Sequence, residues 1–196
     1  GQLKRIRVEV DPELEVTEIT QRVLQEHGPA LLFERPKGSS TPLLMNLFGT
    51  IDRVRAALGR EPAAIGHELL STLERVNPPS LKGIWNSRSV LRRALFTRPS
   101  NVRSAPCQEV VEAADLTRLP ALKCWPHDAG RFITFGMVLT QHPGTRRRNL
   151  GLYRLQVFSR NETGMHWQSM KGGRGHYWEA EQAGKPDSDF DHVIEN

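Results

Sequence analysis

The feature that most constrains the fold of this chain is a pair of apolar segments separated by a short turn sequence. The segments cover residues 132–140 and 149–158, and residues 142–145 between them read His-Pro-Gly-Thr. Proline and glycine favour a tight turn, and two apolar segments joined by such a turn favour an antiparallel hairpin. The sequence therefore predicts an antiparallel sheet or barrel in this half of the chain.

The second segment changes the parity of its apolar positions midway. Leu150 and Leu152 have one parity and the apolar residues after them the other, although alternate residues of a strand point to opposite faces. A β-bulge near Gly151–Arg154 would place them on one face, and it would also bring Asn149 and Arg154 to the same side. A strand that ends early explains the pattern equally well.

The N-terminal half alternates apolar segments with helix-like patterns, which predicts a small α/β unit. Residues 3–10 are predicted to form a strand. The apolar runs at 29–34 and 42–48 are bounded by proline or glycine, which favours buried strands over helices.

Two helices are predicted beside these strands from their capping residues. Thr17 precedes apolar residues at helical spacing, and Gly28 marks the end of this first helix. Thr50 and Gly59 bound the second helix in the same way.

Prolines and basic residues concentrate between residues 77 and 106, where a helix with a solvated basic face is predicted to lead into a surface linker. The predicted organisation is an N-terminal α/β domain at 1–105, an antiparallel domain at 106–186 and an acidic tail at 187–196. The basic residues of the predicted helix are Arg88, Arg92, Arg93 and Arg98.

Composition excludes collagen-like, mucin-like and coiled-coil proteins. The 196 residues are 38% hydrophobic and 25% charged, as expected of a globular domain, and no segment approaches the ~20 apolar residues that span a bilayer. The net charge of +5 suits a phosphate-bearing ligand, an acidic substrate or a polyanion, but many proteins without such partners carry it. Cys107 and Cys124 form no CxxC pair, which favours a reducing compartment.

The densest chemistry lies between Arg146 and Tyr177. Three successive arginines precede Asn149, and Lys171 is followed by two glycines. Cations beside glycines suit a phosphate, because glycine lets backbone N–H groups approach the anion and the cation supplies compensating charge. Asparagine and histidine can also ligate a divalent metal. Each motif has a plainer explanation as well, the arginines as a solvated turn and a histidine such as His166 as a structural residue.

Six short segments, in order over nearly the whole chain, carry a resemblance to a known enzyme family. They are Pro29–Glu34, Asn46–Thr50, Ala105–Gln108, Cys124–Pro126, Asn149–Arg154 and Lys171–Gly173. Through these segments the chain resembles the UbiD decarboxylases, which include the 3-polyprenyl-4-hydroxybenzoate decarboxylases of ubiquinone biosynthesis and related aromatic-acid decarboxylases.

The resemblance implies an α+β fold, in which a small N-terminal α/β domain is followed by part of a flavin-reductase-like split β-barrel that binds prenylated FMN. It implies a carboxy-lyase that catalyses the reversible, non-oxidative decarboxylation of an aromatic or α,β-unsaturated acid, such as a 4-hydroxybenzoate derivative. The prenylated FMN would act as electron sink, with Mn²⁺, or K⁺, beside its phosphate.

The same resemblance implies partners and a location. The expected partners are the small-molecule aromatic acid, a flavin prenyltransferase that supplies the cofactor, and other subunits of a homo-oligomer, whereas nucleic acid is not expected. The expected location is cytoplasmic, without a transmembrane segment, and a peripheral position on the inner membrane face is the alternative.

The resemblance also assigns roles to individual residues. Asn149 matches a ligand of the Mn²⁺ that bridges protein and flavin phosphate, His166 matches a second ligand, and Arg154 matches the arginine of the catalytic charge network. Met170 stands where close relatives often have histidine. The residues that match the cofactor-binding segments are Leu152, Tyr153, Arg154, His166, Trp167, Gln168, Lys171 and Gly172.

Departures from the family pattern keep other functions open. Family chains are more than twice this length, and their acidic metal ligand and acidic proton donor lie in a later part. The 196 residues are therefore expected to be a fragment or short form, with negligible decarboxylation by themselves. A non-catalytic flavin- or phosphate-binding module is the alternative function, and a basic nucleic-acid-binding domain is the third.

Overall fold

The computed structural model describes residues 1–76, 85–96, 100 and 102–184. The contacts of this part form two compact units, one made of residues 3–46 and 114–184 and the other of residues 47–113. The fold is α+β, as predicted. The domain boundary near residue 106 stays a prediction, and the acidic tail predicted at 187–196 lies outside the described residues.

A three-stranded sheet forms the N-terminal part of the first unit and confirms that strands form in the predicted places, but the strand predicted to be buried at 42–48 is short and partly exposed. Its strands are β1 (Leu3–Val10), β2 (Ala30–Pro36) and β3 (Leu43–Met45), in the order β1-β2-β3. β1 and β2 run parallel and are joined through helix α1 (Glu15–Gln25), while β3 is antiparallel to β2. The core of this sheet consists of Val10, Val16, Leu31, Phe33 and Leu122.

Helix α1 begins before the residue that the sequence predicts as its cap. Its N-cap is Leu14, in the left-handed region with φ 67°, and Thr17 lies inside the helix with a buried hydroxyl that lacks a partner among the described residues. The chain is turned instead by Asp11, whose carboxylate accepts from the N–H of Glu13 at 2.9 Å. The prediction of Thr17 as cap is therefore wrong, because an Asx turn starts the helix earlier. The other end agrees with the prediction, since the N–H of Gly28 bonds back to the helix at 2.8 Å.

The second unit contains helices α2 (Ile51–Leu58), α3 (Pro62–Val76) and α4 (Arg88–Phe96). Thr50 caps α2 by accepting from the N–H of Arg53 at 3.5 Å, and Gly59 ends it with φ 67°, as predicted. Arg88 and Arg92 are exposed on α4, and the rest of the predicted basic face lies outside the described side chains. None of the described helices is long and apolar enough to span a membrane.

A three-stranded antiparallel sheet forms the C-terminal part of the first unit and confirms the predicted hairpin. Its strands are β4 (Arg131–Gln141), β5 (Arg148–Val157) and β6 (Thr163–Met165), in the order β4-β5-β6. Helix α5 (Gly172–Gln182) packs on β4 and β5. The core here consists of Ile133, Val138, Tyr153 and Leu155. The flavin-reductase-like split barrel stays a prediction.

The irregularity that the sequence predicts in β5 lies in β4 instead. Ile133 pairs with Leu155 and Gly136 with Tyr153, so two residues of β4 face Arg154 alone. The prediction of a bulge in β5 is therefore wrong, because the extra residue belongs to β4, opposite Arg154.

β5 itself alternates regularly. Tyr153 is buried on one face, and Leu150 and Leu152 are exposed on the other. The apolar residues of the two parities therefore occupy two faces rather than one. Asn149 has the parity of Tyr153, so Asn149 and Arg154 stay on opposite faces of the strand, contrary to the prediction.

Candidate cofactor site at strand β5 and helix α5

The first turn of α5 lies directly on β5. The N–H of Gly173 donates to the phenol oxygen of Tyr153 at 2.9 Å, and both residues are buried. A Cβ at position 173 would lie 2.5 Å from that oxygen and 2.9 Å from Cζ3 of Trp167. Glycine is therefore what lets the helix start so close to the strand.

Lys171 places a positive charge at the start of α5. Its Nζ donates to the carbonyl oxygen of Leu152 at 2.8 Å and lies 5.0 Å from the centre of the Tyr153 ring. Lys171 is also the N-cap residue, and its side chain makes no capping hydrogen bond to the helix. A helix N-terminus carries partial positive charge and unbonded N–H groups, so together with the ammonium it offers a place for an anion.

Asn149 meets Gly172 at the same place. A Cβ on Gly172 would lie 2.6 Å from the side-chain Oδ1 of Asn149. Because Gly172 has no side chain, the amide oxygen lies beside the exposed first turn of α5. An amide oxygen is a hard, neutral ligand of the kind that suits Mn²⁺. The structure thus brings together Asn149, Lys171 and Gly172, three of the predicted residues.

Arg154 lies on the other face of β5, in a separate network. Its Nη2 donates to Oδ2 of Asp128 at 2.7 Å, and its guanidinium lies over the ring of Phe132, 3.7 Å from the ring centre. The same carboxylate oxygen accepts from the backbone N–H groups of Cys124 and Trp125. The hydrogen bond from Arg154 holds the pKa of Asp128 below its ordinary value.

Two further predicted residues support the start of α5. Trp167 packs edge-on against Tyr153 and stacks on Tyr177, with ring centres 5.3 and 5.6 Å apart, so it joins strand and helix. The carbonyl oxygen of Gln168 accepts from the N–H of Lys171 at 3.0 Å, while the Gln168 side chain is exposed. These contacts fix the position from which Lys171 enters the helix.

The structure does not bring His166 to Asn149. The N–H of His166 donates to the carbonyl oxygen of Arg154 at 3.1 Å, so His166 lies level with that residue. Arg154 is about 16 Å from Asn149 along β5, at the usual rise of about 3.3 Å per residue. Two oxygen or nitrogen ligands of one ion lie within about 5 Å of each other. The described residues also contain no group of three or more His, Cys, Asp or Glu residues that could hold a metal.

A histidine network holds the turn between β4 and β5, and the sequence assigns no role to it. Nδ1 of His142 accepts from two backbone N–H groups of the turn at 3.0 and 3.1 Å, and Nε2 lies 2.5 Å from a carboxylate oxygen of Glu179. His176 packs against His142 and lies 3.0 Å from the hydroxyl of Thr140. Burial lowers the pKa of His176, and the charge of His142 adds to this effect. The arginines at 146–148 are exposed beside it.

Two family models match the chain, and both describe the same protein. Residues 1–73 match the N-terminal domain of 3-octaprenyl-4-hydroxybenzoate carboxy-lyase, and residues 99–194 match its Rift-related domain. Both matched domains belong to one family, the carboxy-lyase family that these models describe, and they follow in this order along the chain. The chain belongs to the UbiD family.

Three solved enzymes are similar to the chain. HmfF, a UbiD-class enzyme from Pelotomaculum thermopropionicum, was solved in complex with FMN and has a TM-score of 0.72 at 26% identity, over 94% of this chain and 38% of that chain. An evolved dimeric form of HmfF in complex with prFMN has the same score and identity, over 94% of this chain and 39% of that chain.

The other two enzymes are decarboxylases. The 3,4-dihydroxybenzoic acid decarboxylase of Klebsiella pneumoniae has a TM-score of 0.69 at 26% identity, over 94% of this chain and 38% of that chain. The vanillic acid decarboxylase of Sedimentibacter hydroxybenzoicus has a TM-score of 0.71 at 25% identity, again over 94% of this chain and 38% of that chain. The chain thus spans less than two fifths of the length of the enzymes that it matches.

Proposed function

We propose that this chain carries the prenylated-FMN-binding part of a carboxy-lyase that reversibly decarboxylates an aromatic or α,β-unsaturated acid, such as a 4-hydroxybenzoate derivative. The observation that supports this most is the meeting of Asn149, Lys171 and Gly172 at the start of α5, on the strand that also carries Arg154. Membership of the family supports it as well. HmfF contains FMN or prFMN in its structures, and the two other similar enzymes act on 3,4-dihydroxybenzoic and vanillic acid.

The residues at the start of α5 fit a flavin phosphate with its metal ion. The Lys171 ammonium and the helix N-terminus supply positive charge, and the missing side chain of Gly172 leaves room for an anion to approach. The amide oxygen of Asn149 would be the protein's ligand to Mn²⁺, or to K⁺, beside that phosphate. The geometry gives no support to His166 as the second ligand of that ion.

The exposed face of β5 fits the flavin ring and the substrate. Leu152 presents an apolar side chain there, 45% exposed, on the same face as Arg154. Prenylated FMN, when bound, supplies an electron sink for the carbanion that the loss of CO₂ leaves. Arg154 provides a fixed positive charge that orients the carboxylate of the acid. Tyr153 and Trp167 lie on the opposite face of the strand, where they hold α5.

Flavin binding tests the phosphate end of this site. We expect Lys171→Ala to weaken FMN binding about tenfold, equivalent to about 1.4 kcal/mol, because it removes the ammonium. Asn149→Ala should abolish the increase in affinity that Mn²⁺ gives. Lys37→Ala is the matched control, since Lys37 pairs with Asp11 at 2.8 Å beside the first sheet. Quenching of flavin fluorescence measures each affinity, and equal losses for the Lys171 and Lys37 variants would contradict the proposal.

Turnover tests the enzymatic part. The intact protein, loaded with prenylated FMN and Mn²⁺, should release CO₂ from a hydroxylated benzoic acid, whereas the 196 residues alone should not, because their family's proton donor lies in a later part. Flavin binding by the intact protein without CO₂ release would favour the non-catalytic module. Steeply salt-dependent binding to DNA or RNA, without flavin binding, would favour the third function.

Further proposals concern partners and location. We propose that a flavin prenyltransferase supplies the cofactor and that the protein acts as a homo-oligomer in the cytoplasm, in ubiquinone biosynthesis or a related aromatic-acid reaction. A peripheral position at the inner membrane face is the alternative location. The dimeric form of HmfF supports the oligomer. Sedimentation and cell fractionation of the intact protein test these statements.

A further inference from the structure

Three hydrogen-bond donors converge on one carboxylate oxygen of Asp128. Oδ2 accepts from the backbone N–H groups of Cys124 at 3.2 Å and Trp125 at 3.1 Å, and from Nη2 of Arg154 at 2.7 Å. The Asp128 side chain is only 12% exposed. The carbonyl oxygen of Trp125 in turn accepts from the N–H of Asp128 at 3.0 Å, which closes the loop on itself. The loop therefore holds the Asp128 carboxylate in place independently of its contact with Arg154.

Arg154 has two further contacts, and it lies opposite the bulge in β4. The ring of Phe132 lies 3.7 Å from the guanidinium carbon and supports its flat face. The main-chain carbonyl of Arg154 accepts from the N–H of His166 at 3.1 Å. The bulge in β4 lies opposite Arg154, where the regular pairing of the two strands is interrupted. Asp128 and Phe132 thus hold the side chain, and the hydrogen bond from His166 holds the backbone carbonyl.

The restraint leaves part of the guanidinium available for a ligand. Asp128 engages Nη2, and no acceptor among the described residues contacts Nε or Nη1 of Arg154. A guanidinium carries five N–H donors in a planar fork that matches a carboxylate. The Arg154 side chain is 37% exposed, so part of it is open to solvent. One edge of the fork is anchored while the rest can receive an anion.

We propose that Asp128 is the positioning residue of Arg154, setting the direction in which its guanidinium presents its remaining donors to the carboxylate of the substrate. The inference rests on the proposed function of Arg154. In this proposal Asp128 acts through Arg154, because its Oδ2 accepts from the arginine and from two N–H groups of its own loop. Misplacement of an orienting group by about 1 Å can cost roughly 100-fold in rate, so a single anchoring charge is enough to matter.

The substitution Asp128→Asn separates the two tasks of this side chain. An asparagine oxygen can still accept from the N–H groups of Cys124 and Trp125, so the loop is retained, but the negative charge that faces Arg154 is lost. In the intact protein with prenylated FMN, we expect kcat/KM to fall between about 10-fold and 100-fold. The same substitution in an Arg154→Ala background should change kcat/KM less than about twofold, because Asp128 acts only through the arginine. A full-size loss in that background would overturn the proposal.

A second measurement does not depend on cofactor or turnover. In the apo-protein labelled with ¹⁵N-arginine, the Nε–H signal of Arg154 is assigned by its loss in Arg154→Lys. We expect Asp128→Asn to move this signal and speed its exchange with water. Asp115→Asn is the matched control, because Asp115 pairs with another arginine, Arg160, at 3.4 Å.

The two measurements have separate consequences. An unchanged Arg154 signal in Asp128→Asn would overturn the positioning role. The control Asp115→Asn should leave the Arg154 signal where it is, and an equal shift in both variants would also overturn it. If no form of the intact protein turns over, the proposed function fails, while the arginine signal still decides whether Asp128 holds Arg154.

Discussion

The phenol oxygen of Tyr153 accepts a 2.9 Å hydrogen bond from the backbone N–H of Gly173 and so ties the middle of β5 to the first turn of α5. Helix N-termini usually leave such N–H groups to water, caps or ligands. Here one of them is satisfied by a buried side chain of the neighbouring strand. The distance between β5 and α5, and with it the place of Lys171, depends on this bond and on the absence of a side chain at position 173.

A methyl group at position 173 should separate strand and helix. Gly173→Ala would place a Cβ within 3 Å of both Tyr153 and Trp167, so we expect a loss of about 1–3 kcal/mol in the free energy of unfolding. Gly175→Ala is the control on the same helix, since nothing lies within 4 Å of its Cβ position, and it should stabilise by about 0.5–1 kcal/mol. Urea denaturation of both variants measures the difference. Equal effects at the two glycines would contradict the close packing.

Removal of the acceptor should be costly as well. Tyr153→Phe leaves the buried N–H of Gly173 without its partner, and we expect a loss of about 1–3 kcal/mol in the free energy of unfolding. In this background Gly173→Ala should cost less than in the native protein, because the oxygen nearest to the new methyl group is gone. Strict additivity of the two substitutions would show that the contact is not the cause.

We expect substitution at position 170, and not at position 166, to change the affinity for Mn²⁺. Met170 is 96% exposed and lies two residues before Gly172, which contacts Asn149. A thioether is a poor ligand for Mn²⁺, so Met170→His should raise Mn²⁺ affinity in the presence of FMN about tenfold, or 1.4 kcal/mol. His166→Gln should leave the affinity unchanged. Titration with Mn²⁺ followed by electron paramagnetic resonance checks both, and a loss on His166→Gln would show that His166 does reach the ion.

Acid should weaken the fold through His176. Burial lowers the pKa of this ring, so the folded state favours its neutral form and the unfolded chain binds the proton more readily. The contribution is fully present above the ordinary histidine pKa of about 6.5 and is lost as the pH falls from there through the lowered pKa.

The substitution His176→Gln tests this pH dependence. Glutamine has no proton to gain, and it can still bond the hydroxyl of Thr140. We expect the free energy of unfolding of His176→Gln to fall less than that of the native protein between about pH 7.5 and pH 5. The exposed His127, changed to Gln, is the control. The same slope in the native protein and in His176→Gln would argue against a contribution of this ring.

Features set by neighbouring residues could be predicted from the sequence. The hairpin follows from two apolar segments around a turn, and helix α2 follows from Thr50 and Gly59, which act within a few residues of themselves. The meeting of Lys171 and Gly172 with Asn149 is also consistent with the phosphate pattern. The helix start at Leu14 could not be predicted from Thr17, because the competing Asx turn of Asp11 acts first.

Features set by distant residues could not be predicted. Parity in β5 is consistent with a bulge in that strand, but Leu150 and Leu152 lie on its exposed face and the register shift lies in β4. Asp128 meets Arg154 across 26 positions, and His142 meets Glu179 across the fold, without any local pattern that links them. Such pairs depend on how a loop and helix α5 pack on the sheet, which no local pattern specifies.

The hydrogen bond of the Lys171 ammonium goes to the main-chain oxygen of Leu152. Any residue at position 152 offers that oxygen, so exchange of leucine there would leave the cation in place. Under the proposed function, flavin binding and the preference for a particular acid can therefore change independently during evolution. Substitutions at this one exposed position can change the preferred acid without loss of the flavin cofactor.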